Sequence, residues 1–169
     1  MLGYSTAAMD VLQRARKLYE RGEMHDSLEA AQAACERAPR DAEAWWLLAC
    51  VSRHAGLPHA SDQAFRRAAD LSRRKPLPLR VSAADFAAVV DKARHGLSPD
   101  ARRRLAGTQL KLSELPTPLD MRAGIKPDVV AHRARHPEDV LTLYQVNLEN
   151  RSGSSAALQA AVVKVLSKA

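Results

Sequence analysis

The sequence predicts an α+β protein that is mostly α, with helical hairpins first and then a small α+β module with two short strands. Three observations carry this. The first half repeats with a period of 34 residues, each unit reading as two amphipathic stretches broken at a glycine. Residues 82–95 read as one further helix. Two short stretches beyond it alternate apolar and polar residues, separated by a segment rich in proline. The expected organisation is two hairpins over 1–81 and a small α+β module over 82–169. A chain of 169 residues with 46% hydrophobic content can fill a packed core.

Shifting the sequence by 34 lays VLQRARKLYERGEMHDSLEAAQAACERAPRD over WWLLACVSRHAGLPHASDQAFRRAADLSRRK. Ala15 then matches Ala49, Gly22 matches Gly56, Ser27 matches Ser61 and Ala34 matches Ala68. The glycines fall where a helix ends and a positive φ is wanted, and Pro39 breaks the chain between units. Small residues mark close helix approach, and Leu18, Trp45, Leu48 and Phe65 fill the gaps. Two hairpins cannot cover their own apolar ends, so a further helix is expected to cap them. Residues 82–95 supply it: Ser82 and Asp85 form an N-cap pair, Phe86, Val89, Val90 and Ala93 make one apolar face, and Gly96 with Pro99 marks the stop.

Beyond residue 108 the period changes. TQLKLSEL alternates through Leu110 and Leu112, and VLTLYQVNLEN alternates through Leu141, Leu143 and Gln145 or Val146. Between them PTPLDMRAGIKPDVVAHRARHPED leaves room only for short helical turns, because of its prolines and glycine. The end, SSAALQAAVVKVLSKA, reads as a serine-capped helix with Leu158, Ala161, Val162, Val165 and Leu166 on one face.

The first half resembles the tetratricopeptide repeat through its 34-residue period, Trp45, Leu48 and Ala49 at the start of the second unit, then Gly56, Phe65 and Ala68, and Pro39 closing the first. The first unit departs from that pattern with Val11 for tryptophan and Arg14 for leucine. Residues 85–169 resemble a minimal zincin-type metallopeptidase family found in bacteria. The likeness lies in the F-x-x-x-V of Phe86 and Val90, the Glu114-Leu115-Pro116 turn, and Asn147-Leu148-Glu149. In that family the next helix carries H-E-x-x-H, whose two histidines grip zinc while the glutamate activates water. Residues 154–169 contain no histidine, cysteine or acid. The resemblance therefore implies a degenerate scaffold with no catalytic residue, no metal and no cofactor, expected to be a natural pseudo-enzyme.

Other chemistry is weighed against this. HRARH at 132–136 spaces two histidines at i and i+4, but Arg133 stands where a glutamate is needed and Pro137 disfavours helix at His136, so exposed histidines on a basic loop are expected. Cys35 and Cys50 fit no zinc spacing and read as buried reduced thiols. Glu114 and Glu149 read as structural or solvated. The net charge of +7 gathers at RRAADLSRRKPLPLR, residues 66–80, and at the arginines 102–104. Without aromatic stacking residues there, a solvated helix end and basic linker is expected before a nucleic-acid site. No stretch reaches the length of a membrane helix and no signal segment opens the chain, so the protein is expected in the cytoplasm.

Function then falls on surfaces. The leading expectation is a non-catalytic adaptor whose repeat hairpins bind a protein or peptide partner along the face of their first helices. That face is expected to show Leu12, Arg16, Tyr19, Glu20, Trp46, Cys50, Arg53 and His54. Trp45 is assigned to the core and Trp46 to the groove, with packing beneath the N-terminal MLGYST as the alternative for Trp46. The second expectation is a metallopeptidase-derived hydrolase scaffold, truncated or completed by a partner chain. The third is nucleic-acid binding through the 66–80 stripe.

Overall fold

A computed structural model describes residues 6–169, with side chains from residue 9; packing beneath the N-terminal MLGYST lies outside the described residues. The fold is α+β and mostly helical, and the chain divides into two compact units. One comprises the residues up to Leu77 together with Pro118–Asp128; the other comprises Pro78–Thr117 and Val129–Ala169.

The first unit is built from two helical hairpins, α1 (Thr6–Glu20) with α2 (Met24–Arg37), and α3 (Ala42–His54) with α4 (Pro58–Leu71). The 34-residue repeat is physical. Gly22 and Gly56 turn the two hairpins at φ +77° and +74°, a conformation that costs a residue with a Cβ and costs glycine nothing. Ser27 Oγ donates to the Ala15 carbonyl at 2.9 Å, and Ser61 Oγ donates to the Ala49 carbonyl at 2.7 Å. The alanines between paired helices are fully buried, so the backbones approach closely. Asp41 caps α3 by accepting from the Glu43 amide at 2.8 Å, and Pro58 opens α4 where no intrahelical donor is needed.

Residues 118–128 belong with the hairpins and not with the sequence around them, which moves the expected 1–81 and 82–169 boundary. This arm starts with a short helix, α7 (Pro118–Arg122), and closes at Gly124, φ +89°, where the Ile125 amide donates to the Asp120 carbonyl at 3.0 Å. The chain leaves the second unit at Thr117 and rejoins it at Val129.

The second unit opens with α5 (Ala83–His95), capped by Ser82, whose Oγ accepts from the Asp85 amide at 3.0 Å. Its buried face, Phe86, Val90 and Ala93, shares one core with Leu158, Val162 and Leu166 of the last helix, α9 (Ser155–Lys168). The apolar face expected to cap the hairpins is therefore consumed inside the second unit. Between these helices lie α6 (Pro99–Arg104) and a sheet of β1 (Gln109–Ser113), β2 (Ala131–Ala134) and β3 (Val140–Tyr144), in the order β1-β3-β2. β1 runs parallel to β3 and β2 antiparallel to it. β2 is a third strand where two were expected. The alternation expected to continue past Gln145 instead stops at Tyr144, and residues Gln145–Asn150 form α8.

Two polar networks hold this unit. Glu149 is buried; its carboxylate accepts from Arg80 Nη1 and the Val81 amide, each at 3.2 Å, and from Gln145 Nε2 at 2.7 Å. Gln145 Nε2 also donates to the Val81 carbonyl at 2.9 Å, so the segment before α5 is tied to α8. At the sheet edge, Arg133 grips Asp139 with Nε at 2.8 Å and Nη2 at 2.6 Å, reaches Thr108 Oγ1 at 2.8 Å, and donates to the Ala169 carbonyl. These bonds from Arg133 and Thr108 hold the Asp139 carboxyl down at about 2.

Glu149→Ala leaves Arg80 and the Val81 amide without their acceptor and should cost roughly 3–5 kcal/mol, read as a lowered urea midpoint. Asp139 has a second signature. Its folded pKa lies below its ordinary 3.8, so the stability it contributes is complete above that value and disappears as pH falls towards about 2. Asp139→Asn should therefore melt below wild type at pH 7, and the two melting curves should converge across that acid window.

Candidate functional site

The face shared by the first helices of the hairpins is where the arm sits. Tyr19, near the end of α1, is buried, and its ring stands edge-on to His54 at a centroid distance of 5.7 Å. His54 Nε2 donates to the Pro127 carbonyl at 3.0 Å, which makes this histidine the Nε2–H tautomer when neutral. Pro127 is itself fully buried. At the other side of the same helix ends, a Cβ added at Gly22 would stand 3.3 Å from both Cβ and Sδ of Met121. Gly22 thus serves twice, by its positive φ and by the space it leaves for the arm's methionine.

The electrostatics favour a neutral imidazole. Burial lowers the His54 pKa, while the Pro127 carbonyl and the carboxylate of Asp128 pull it upward. On the preceding position Arg53 is half-buried, and its Nε lies buried with no hydrogen-bond partner among the described residues. One end of this face therefore presents two donors on α3 towards acceptors, and the other end presents an apolar seat at Gly22.

Of the residues expected on this face, Tyr19 and His54 meet the arm's neighbourhood directly. Leu12 and Cys50 are half-buried and packed against the hairpin core. Glu20 is exposed. Arg16 is exposed and 3.7 Å from Glu43 Oε2, a pairing of little energetic weight at that exposure. Trp46 needs correction. Its ring packs edge-on to Phe65 at 4.9 Å, and Lys75 Nζ lies 4.8 Å from its centroid and 2.7 Å from Glu43 Oε1. Because α3 lies between α2 and α4, two adjacent tryptophans about 100° apart both face neighbours. Trp45 packs with Ala34, Cys35 and Ala44 and donates Nε1 to the Pro39 carbonyl at 3.0 Å; Trp46 turns to α4.

Sequence reasoning missed Gly22 as a contact, and it missed Met121, Pro127 and Asp128 altogether. The signal present was the unusual pairing of Leu119, Met121 and Ile125 with prolines at both ends of a short stretch. Elsewhere, Lys75 and Arg80 of the basic stripe are held in intramolecular pairs, while Arg66, Arg67, Arg73 and Arg74 are exposed. His132 lies on β2 and His136 beyond its end, both exposed, so HRARH forms no helix. A cleft of about 320 Å³ beside Arg94 and His95 is bounded by Arg102, whose Nε and Nη2 donate to the carbonyls of Leu97 and His95 and so close the α5–α6 turn. Among the described residues no group of three or more His, Cys, Asp or Glu could hold a metal, and no helix is long and apolar enough to cross a membrane.

Comparison with protein families, with curated proteins and with solved structures returns no match for this chain. The functional reading rests on the geometry of the face and its arm. For the tryptophans, the packing sets a plain expectation: Trp45→Ala and Trp46→Ala should each destabilise, by roughly 2–4 kcal/mol, because both rings fill space between helices. Thermal melting of the two variants checks this, and an unchanged Trp46→Ala melt would return that ring to the open surface.

Proposed function

We propose that this chain is a non-catalytic adaptor of tetratricopeptide-like build, which holds a short peptide of a partner protein on the face of α1 and α3. The observation that supports this most directly is that the face already receives a peptide segment, the chain's own arm. The means are those a foreign peptide would meet: an aromatic pair, a glycine seat for one apolar side chain, and a histidine donor for one backbone carbonyl. Small and stiff groups at these positions keep the ordering cost of binding low.

The second unit, on this proposal, is a degenerate relative of zincin-type scaffolds that keeps their helices and strands. Its terminal helix has only apolar, small and basic residues with one glutamine, and its buried acid, Glu149, is tied to Arg80, Val81 and Gln145. Such a carboxylate is committed to structure.

A photo-crosslinking amino acid at position 16 tests the adaptor reading. Arg16 is exposed on α1 one turn before Tyr19, so the probe replaces no packing contact. In its cell of origin the full chain should form a discrete adduct with another protein, and adding His54→Ala should reduce that adduct at least about tenfold. The absence of an adduct, or one indifferent to His54→Ala, would remove the reading.

A further inference from the structure

The arm is held by contacts that are few, local and reproducible by another peptide. Its helix α7 is one turn long, its Leu119 side chain is largely exposed, and Arg122, Ala123, Gly124 and Lys126 face solvent. Its anchors are Met121 against Gly22, the Pro127 carbonyl on His54 Nε2, and the burial of the Pro127 ring. A segment this short has no core of its own, so its place depends on those anchors alone.

The chemistry of the anchors specifies a ligand. Gly22 accepts an unbranched apolar side chain that can follow the space left by a missing Cβ, as methionine does. His54 requires a backbone carbonyl, and a proline there adds a rigid ring that loses little entropy on burial. The next residue is acidic in the arm, beside a histidine and close in sequence to the unsatisfied Arg53 Nε.

We propose that the arm Pro118–Asp128 is a built-in competitor for the peptide face, and that the partner segment it excludes carries the same pattern: an unbranched apolar residue followed, about six positions on, by proline and an acidic residue. The inference rests on the adaptor reading and adds to it both the ligand's chemistry and its regulation. In cis, an attached segment works at an effective concentration near millimolar, so a partner must either exceed it in contacts or find the arm released. The apparent affinity for a peptide in trans is reduced by the fraction of molecules whose face is open. Arg53 Nε gives the partner a way to win, since an acidic group that reaches it satisfies a donor the arm leaves unmet.

The test uses the full chain and a fluorescein-labelled synthetic peptide of residues 117–129, TPLDMRAGIKPDV. Fluorescence anisotropy should show binding to a chain whose residues 118–128 are replaced by an equally long Gly/Ser stretch at least about tenfold tighter than to wild type. His54→Ala in the replaced chain should abolish most of that gain, and so should a peptide with Met121→Asp. Equal affinity for both chains, or no binding to a replaced chain whose circular dichroism shows folded hairpins, overturns the proposal. Should replacement prevent folding, wild type carries the test: with methionine methyls labelled, excess unlabelled peptide should move the Met121 resonance to the position it has in the free peptide. A resonance that stays fixed overturns the proposal equally. A chain that captures a partner at position 16 but ignores the peptide loses this inference and keeps the adaptor reading, whereas failure in both assays removes both.

Discussion

One hydroxyl in each hairpin sets how closely its two helices can lie. Ser27 and Ser61 are completely buried, and a buried hydroxyl without a partner would be costly. Each finds its acceptor across the hairpin, on the carbonyl of Ala15 or Ala49. A bond of that length draws the backbones together until only alanine fits between them, and Ala15, Ala31, Ala34, Ala49 and Ala68 are all essentially inaccessible. The remaining features of this unit follow from that spacing. The turns at Gly22 and Gly56 must be tight, and the ends of α1 and α3 come close enough for Tyr19 to meet His54 edge-on.

The second unit solves a different problem, since it buries a carboxylate. Glu149 is 1% exposed, and an isolated charge at that depth would not be tolerated. Three donors converge on it from two separate stretches of chain, so the acid fixes where residues 80 and 81 lie against α8. Asn147 acts in the same way on the other flank, donating to the Val129 carbonyl at 2.7 Å. The short helix α8 exists where alternation suggested strand because its polar residues have inward partners that a continuing strand would turn away.

This explains what could be read without the structure. The hairpins were legible because their determinants, glycine, serine and alanine at fixed offsets, recur in the sequence itself, and the Ser82 cap was legible because it is local. β2 was not, because Ala131–Ala134 has no apolar alternation and becomes a strand only by pairing with β3. The arm was not, because prolines and glycine describe what it cannot be and say nothing of where it docks. For the site the same division holds. Tyr19 and His54 follow from the repeat register, whereas Met121 and Pro127 reach them from a hundred and more or seventy-odd positions away, and Trp46 was misassigned because α3 has a neighbour on each side.

Both cysteines lie in the hairpins, and the second unit has none. Cys35 is 4% exposed, and burial, with Asp41 and Glu36 nearby, pushes its thiol up to about 12. In the folded hairpin it is therefore withheld from alkylating reagents on two counts, access and ionisation. Its labelling rate becomes a clock for the opening of α2 from its neighbours, silent to any event in the sheet or in α9. One natural thiol thus lets the breathing of the peptide-binding unit be timed apart from that of its companion, with no label introduced and no residue changed.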